Sequence, residues 1–314
     1  MKSISYKDIS RLANVSISTV SRYYNNGYVS KRTKEKIERV VQENEYYPNH
    51  GARLIRGKDS SIFIIMPEWA QSIYISISNG IIQAAKLRKK KVHMSFSESG
   101  TKEYIETIKF ILSWKPTSIV VFTPNCDKEL ADFLRSIQDV SIVIFGHEVD
   151  GLNYVKIDEE YAFYNLTKAF YAAIVDNKKM MFVSDAKLDP IQLKDRQTGF
   201  IRACKELGVD HEIYYLKAKS KNTIFELNKY TRKESISNLV CSTHEVFIAL
   251  NALGDENLRL TDFGYQSIYD YIRTYKSKIF VDYPSIGFDI ENMILNHSSD
   301  NVLKQKIIKP RIIS

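Results

Sequence analysis

From Ser60 onward, short apolar runs alternate with longer stretches in which apolar residues recur every three or four positions. Ile62 to Met66, Val92 to Phe96, Ser118 to Phe122, Ile142 to Phe145 and Met180 to Val183 read as strands. Ile213 to Leu216, Asn238 to Cys241, Leu260 to Gly264 and Ile279 to Asp282 continue the series. Between most of them lie amphipathic stretches such as Ile73 to Arg88, Lys102 to Trp114, Asp127 to Ile137, Glu159 to Val175, Ile191 to Leu207 and Thr243 to Leu253. Alternating strand and helix predicts parallel sheet with helices on both faces. About nine strands suit two such sheets better than one, and periodicity alone does not mark where they divide.

Before Ser60 the pattern is helical. Ser5 with Asp8 makes a capping box, and Ile9, Leu12 and Ala13 fall on one apolar face. Asn14 ends that helix. Ser16 caps a second one whose inward positions are Thr19 and Val20, leaving Ile17, Ser18, Ser21 and Arg22 to point outward. Short polar side chains beside an arginine suit the edges of base pairs in a major groove. After the turn at Asn25-Asn26-Gly27-Tyr28, Ser30 caps a third helix running to about Glu43, with Ile37, Val40 and Val41 as its core stripe. Lys31, Arg32, Lys34 and Lys36 cluster at its start, against the helix dipole; the cluster is either a solvated face or a phosphate-binding one. The stretch from Tyr46 to Lys58 is short, holds Gly51 in its middle, and is expected to be a linker that orders only when something stabilises it.

The run Lys7-Asp8-Ile9, Ala13-Asn14-Val15-Ser16 and Ser18-Thr19-Val20-Ser21-Arg22 resembles the helix-turn-helix of the lactose and galactose repressor (LacI/GalR) family. That resemblance implies an all-α helix-turn-helix DNA-binding domain at 1–47, a hinge helix or linker at 48–59, and an α/β effector-binding and dimerisation domain at 60–314. The last resembles periplasmic sugar-binding proteins: two lobes of doubly wound parallel sheet, the first about 60–157 and 283–296, the second about 158–282. The implied DNA contacts are Ser5, Tyr6, Ser16, Ile17, Ser18, Thr19, Ser21, Arg22 and Asn25. In the hinge they are Asn49, Ala52 and Ile55, Ile55 standing where the family places a minor-groove wedge leucine. Gly51 stands where a packing Val is usual.

Charge sharpens this picture. Basic residues exceed acidic ones by 8 over the 314-residue chain, yet residues 1–59 alone carry 12 Lys and Arg against 6 Asp and Glu. A basic module joined to a near-neutral body points to a nucleic-acid partner rather than to a uniformly sticky surface. The three cysteines, Cys126, Cys204 and Cys241, lie far apart without metal-ligand spacing and are expected to be reduced core thiols of a cytoplasmic protein. Neither a membrane span nor a signal peptide is expected, since apolar runs are short and the N-terminus is polar.

For the cleft, Asp195-Arg196-Gln197-Thr198-Gly199-Phe200 resembles the family's Arg-x-x-Gly-aromatic motif, whose arginine forks onto a ligand. Arg196 is therefore an expected effector contact, the alternative being a surface ion pair. Tyr74 after the first strand, His147 after the fourth and Gln266 after Gly264-Tyr265 complete the expected effector set, with a structural role the alternative for His147. Asp158 either belongs to the lobe crossover or merely caps a helix. Gln266 and Ser242-Thr243-His244 depart from the family's usual Asp and Asn-Asp, so the ligand set is altered. Catalytic motifs, cofactor loops and metal-ligand spacings are absent, and Glu159 and Glu160 diverge on a helix, so no catalytic residue, cofactor or metal is expected.

The sequence thus predicts a homodimeric transcriptional regulator that binds a pseudo-palindromic double-stranded DNA operator. It is expected to repress carbohydrate uptake or catabolism genes under control of a small effector, a sugar or sugar phosphate. The competing expectations are a ligand-independent architectural DNA protein and an α/β sugar-processing enzyme.

Overall fold

The computed structural model describes residues 5–24, 27–44, 59–68, 72–174, 179–265, 275–300 and 303–313. The chain divides into two compact units, Met1–Lys58 and Asp59–Ser314.

In the first unit, α1 (Tyr6–Ala13), α2 (Ile17–Tyr24) and α3 (Lys31–Glu43) close around Ile9, Ala13, Val20, Ile37 and Val40. The entry to α1 is a full capping box: Asp8 N donates to Ser5 Oγ while Ser5 N donates to Asp8 Oδ2. Asn14 adopts the left-handed conformation (φ 52°) that ends α1, and Ser10 Oγ donates to Val15 O to brace the turn. Thr19 N donates to Ser16 Oγ at 3.1 Å, capping α2. Leu12 departs from the predicted apolar face. It is half exposed because the tight turn sets α2 and α3 against the Ile9 and Ala13 side of α1.

The second unit begins with β1 (Asp59–Pro67), α4 (Ser72–Leu87), β2 (Val92–Ser97), α5 (Thr101–Ser113), β3 (Pro116–Phe122), α6 (Lys128–Ser136), β4 (Ser141–Phe145) and β5 (Asn153–Ile157). It continues through α7 (Glu159–Ala173), β6 (Met180–Asp185), α8 (Pro190–Leu207), β7 (His211–Leu216), α9 (Lys221–Lys233), β8 (Asn238–Cys241), α10 (His244–Leu253) and β9 (Arg259–Gly264). Then follow β10 (Ser277–Phe280), α11 (Tyr283–Asp300), β11 (Gln305–Ile308) and β12 (Arg311–Ile313).

Among the described residues the strands form two six-stranded sheets, in spatial order β2-β1-β3-β4-β5-β11 and β7-β6-β8-β9-β10-β12. The two orders match strand for strand, but the last edge strand runs parallel to its neighbour in the first sheet and antiparallel in the second. Pairing is parallel, with Ile62 opposite Val92 and Val120 opposite Val143, until the antiparallel edge where Ile279 faces Ile312. Central strands such as Ile142-Val143-Ile144-Phe145 are buried on both faces, as a sheet covered by helices on each side requires. Strands β5, β11 and β12 were not predicted: β5 opens on a polar Asn153, and β11 and β12 are only 4 and 3 residues long among basic residues.

The chain passes between the lobes three times, at Ile157–Asp158, between Phe280 and Tyr283, and between Ile308 and Arg311. Helix α11 lies along α4 at such close range that a Cβ on Gly80 would sit 2.1 Å from Pro284 O, and one on Gly287 2.3 Å from Ile77 O. One continuous apolar cluster runs from Ile64 and Phe122 in the first lobe to Phe163, Phe182 and Ile279 in the second.

Candidate DNA-reading face and inter-lobe cleft

On the first unit, the outward face of α2 presents Ile17, Ser18 and Arg22 to solvent, with Ile17 47 % exposed although it is a large apolar residue. Ser16 is exposed, and its hydroxyl lies 2.7 Å from both Ser18 Oγ and Thr19 Oγ1. Thr19 and Ser21 are half-buried at the edge of the face. Ser5 is exposed but committed to its capping box.

Tyr6 is placed otherwise than expected. Its ring stacks on Tyr24 at 5.1 Å and its hydroxyl oxygen is buried, so it packs the helix pair rather than facing a phosphate. Tyr28 was missed; it stands 90 % exposed beside Gly27, on the loop that follows α2. Its exposure could not be foreseen from a turn dipeptide alone. Asn25, Asn49, Ala52 and Ile55, and with them the hinge expected at 48–59, lie outside the described residues.

In the second unit, the carboxyl ends of the strands converge between the lobes, where doubly wound sheets place their ligands. A cavity of about 230 Å³ opens there. Ser72, Ile73 and Ser76 of α4 form its first-lobe wall, and Arg196, Thr243, His244 and Glu245 much of the opposite one. Phe263, Tyr265 and Tyr283 supply aromatic surface.

Arg196 lines this cavity, but it is 3 % exposed and its fork is engaged. Nε and one terminal nitrogen donate to the two oxygens of Glu159 at 2.8 and 2.7 Å, and the other donates to Ser242 O at 2.5 Å. The guanidinium also lies 4.6 Å from the ring of Phe263 and 5.6 Å from that of Phe163. Burial alone would lower its pKa, but the Glu159 carboxylate outweighs it and raises the value further. Gly199 makes this possible: a Cβ there would meet Glu160 O at 2.3 Å, so only glycine lets α8 approach α7 closely enough for the pair to form. Glu160 diverges to the surface and pairs with Arg202.

A second network sits behind the other wall. Asp262, wholly buried, holds Lys278 Nζ at 2.8 Å on one oxygen and His244 Nδ1 at 2.8 Å on the other. Lys278 also donates to Tyr265 O, tying the cavity's rim to the network. At the end of β6, burial pushes the Asp185 pKa up, but hydrogen bonds from Lys219 Nζ, Lys187 N and Thr243 Oγ1 prevail and hold it below the usual range. Polar contacts join the lobes directly: Ser72 Oγ donates to Glu245 Oε1 at 3.3 Å, and Lys156 Nζ, which also pairs with Glu148 of its own lobe at 3.1 Å, lies 3.2 Å from Asp195.

Two expected effector contacts lie elsewhere. Tyr74 points into the first lobe, 5 % exposed, its ring 5.2 Å from Phe122, and burial drives its pKa far upward; the helical turn that buries it brings Ile73 and Ser76 to the cleft instead. His147 is 7 % exposed and bonded through Nε2 to Thr123 O at 2.9 Å, which makes it a brace between strand ends. Gln266 lies outside the described residues. Asp158 caps α7 by accepting from Tyr161 N. Glu159, Glu245, Asp262 and Lys278 were not singled out as partners, since nothing local in the sequence pairs them. Among the described residues no group of His, Cys, Asp and Glu is disposed to hold a metal, and no helix is long and apolar enough to cross a membrane.

A three-helix DNA-reading unit joined to a two-lobed α/β unit with a cavity at its strand ends defines the class of DNA-binding transcriptional regulators built on a helix-turn-helix. Residues 5–49 match the family model described as bacterial regulatory proteins, lacI family. The chain is 24% identical over 269 residues to the HTH-type transcriptional regulator RegA of Clostridium saccharobutylicum, covering 82% of this chain and 79% of that protein. It is 22% identical to the sucrose operon repressor of Staphylococcus xylosus over 98% of this chain and 97% of the relative. The crystal structure of the lac repressor dimer bound to operator and the anti-inducer ONPF superposes with a TM-score of 0.82 at 18% identity, covering 100% of this chain and 98% of that one. Over residues 5–49 the chain carries the DNA-binding module of the lacI family of bacterial regulatory proteins, and the relatives it resembles along the rest of its length are transcriptional regulators and not enzymes.

Proposed function

We propose that the protein is an operator-binding repressor of carbohydrate genes, acting as a homodimer and controlled by a small sugar-like ligand between its lobes. The observation that carries the DNA part is the outward face of α2, where Ile17, Ser18 and Arg22 stand exposed on a helix whose other side is locked by Val20. On this reading Ser18 and Arg22 read base edges and Ile17 packs against them, while Ser16, Tyr28 and the basic start of α3 hold phosphates. Asn25 and the hinge residues Asn49, Ala52 and Ile55 extend the contact set into the minor groove. The name of the sucrose operon repressor supports the carbohydrate assignment. The cavity at the strand ends supports a ligand. The domain limits proposed are 1–47, 48–59 and 60–314. Two identical reading heads require a site with two-fold symmetry.

The test is selection of bound sequences from a random DNA pool by the full-length protein, repeated with sugars present. A palindrome that weakens when one sugar is added is the expected result. A palindrome indifferent to every ligand makes the protein a ligand-independent DNA binder, and enrichment of no motif overturns the operator assignment. Arg22→Ala is expected to relax preference at one position per half-site, at about 1–3 kcal/mol per base contact.

A further inference from the structure

The charge pattern of the inter-lobe cleft sorts the ligands it can take. Arg196 is the sole arginine on the cavity wall among the described residues, and Glu159 occupies both prongs of its fork. A ligand phosphate or carboxylate would have to displace Glu159, which is 5 % exposed and would then be left as a buried anion without its cation. His244 is turned by its Nδ1 onto Asp262, whose other oxygen is held by Lys278. Lys219 is spent on Asp185, and Lys156 is shared between Glu148 and Asp195.

Glu245 is the exception. It lines the cavity, sits in the first turn of α10 where the helix dipole favours negative charge, and has no cationic partner among the described residues. Its one hydrogen bond comes from Ser72 Oγ across the cleft, at a long 3.3 Å. Among the described residues the wall therefore carries one carboxylate with no cation paired to it, beside the hydroxyl-bearing Ser72, Ser76 and Thr243 and the aromatic Tyr265. A cavity of about 230 Å³ lies below the roughly 300–1,000 Å³ of pockets for drug-sized ligands and fits a single ring.

We propose that the cleft selects an amine-bearing monosaccharide and rejects phosphorylated ones, the ammonium of the ligand pairing with Glu245 and replacing the Ser72 contact. This rests on the effector-binding reading above and narrows it. The ammonium gains a charge-assisted bond that the neutral parent sugar lacks, while a phosphate meets Glu245 as a like charge.

The experiment is thermal unfolding of the full-length protein with 2-amino hexoses, their neutral parents and their 6-phosphates, followed by titration calorimetry of whatever stabilises it. The expected result is stabilisation by an amino hexose, binding at least about tenfold tighter than its neutral parent, and no response to any 6-phosphate. Glu245→Gln should bring the amine and its parent to equal affinity, with the parent's binding to the variant showing that the fold and cleft survive. Stabilisation by a 6-phosphate, or a neutral sugar that binds as tightly as its amine, overturns the amine assignment and leaves the effector site standing. Silence from the whole panel overturns both.

Discussion

At the scale of single residues, the buried pair of Arg196 and Glu159 decides most. Breaking it leaves a charge in the core: Glu159→Ala is expected to cost about 3–5 kcal/mol, read as a lower urea midpoint with an unchanged slope. Replacing both partners by Met and Leu should recover much of that loss, since removing the desolvated pair also removes its burial penalty. Asp185 gives a pH signature. Its pKa is held down in the folded state, so its contribution to stability is complete above the unfolded value near pH 4 and is lost as pH falls through the folded one. Lys219→Met removes the strongest of the groups holding it down, and the acid-unfolding midpoint, followed by circular dichroism, should move to higher pH. Coincident midpoints for the two proteins would show that the pair carries no stability. The Glu159 partnership was not legible in the sequence because it joins residues 37 apart on two helices, whereas the Ser5 and Asp8 box was, because both ends lie within one turn.

Among elements, helix contacts at glycine set the frame of each lobe. Gly80→Ala drives a methyl group into the backbone of Pro284 and is expected to destabilise by about 1–3 kcal/mol or more, seen as a lower melting temperature. A melting temperature equal to that of the parent would mean that α11 shifts freely along α4. Strand and helix alternation was readable over most of the second unit because central strands are continuous Val and Ile runs, such as Ile119 to Val121. Which face of α4 meets the cleft was not readable. Its sequence is apolar on several sides, and the rotation that buries Tyr74 while presenting Ser72 and Ser76 is fixed by α11 and by Phe122, far along the chain. His147 misled for a related reason: a strand-end histidine looks the same in sequence whether it faces a ligand or, as here, the carbonyl of Thr123.

For the whole molecule, the uneven charge sets how binding responds to salt. With the excess of basic residues concentrated in residues 1–59, operator affinity is expected to fall by about 10³–10⁵ between 50 and 200 mM salt if 6–10 phosphates are neutralised per dimer. A shallow slope in filter-binding titrations would mean that few phosphates are touched.

The three passages between the lobes have a consequence for synthesis. Strand β11 completes the first sheet and β12 the second, yet both are made after every other element of the unit. Neither lobe can therefore finish its sheet while the ribosome is still making the chain before residue 305, and the two finish within a few residues of each other. A stop codon at 304 would strip an edge strand from both lobes at once, so β11 and β12 act as a single checkpoint on the closure of both sheets.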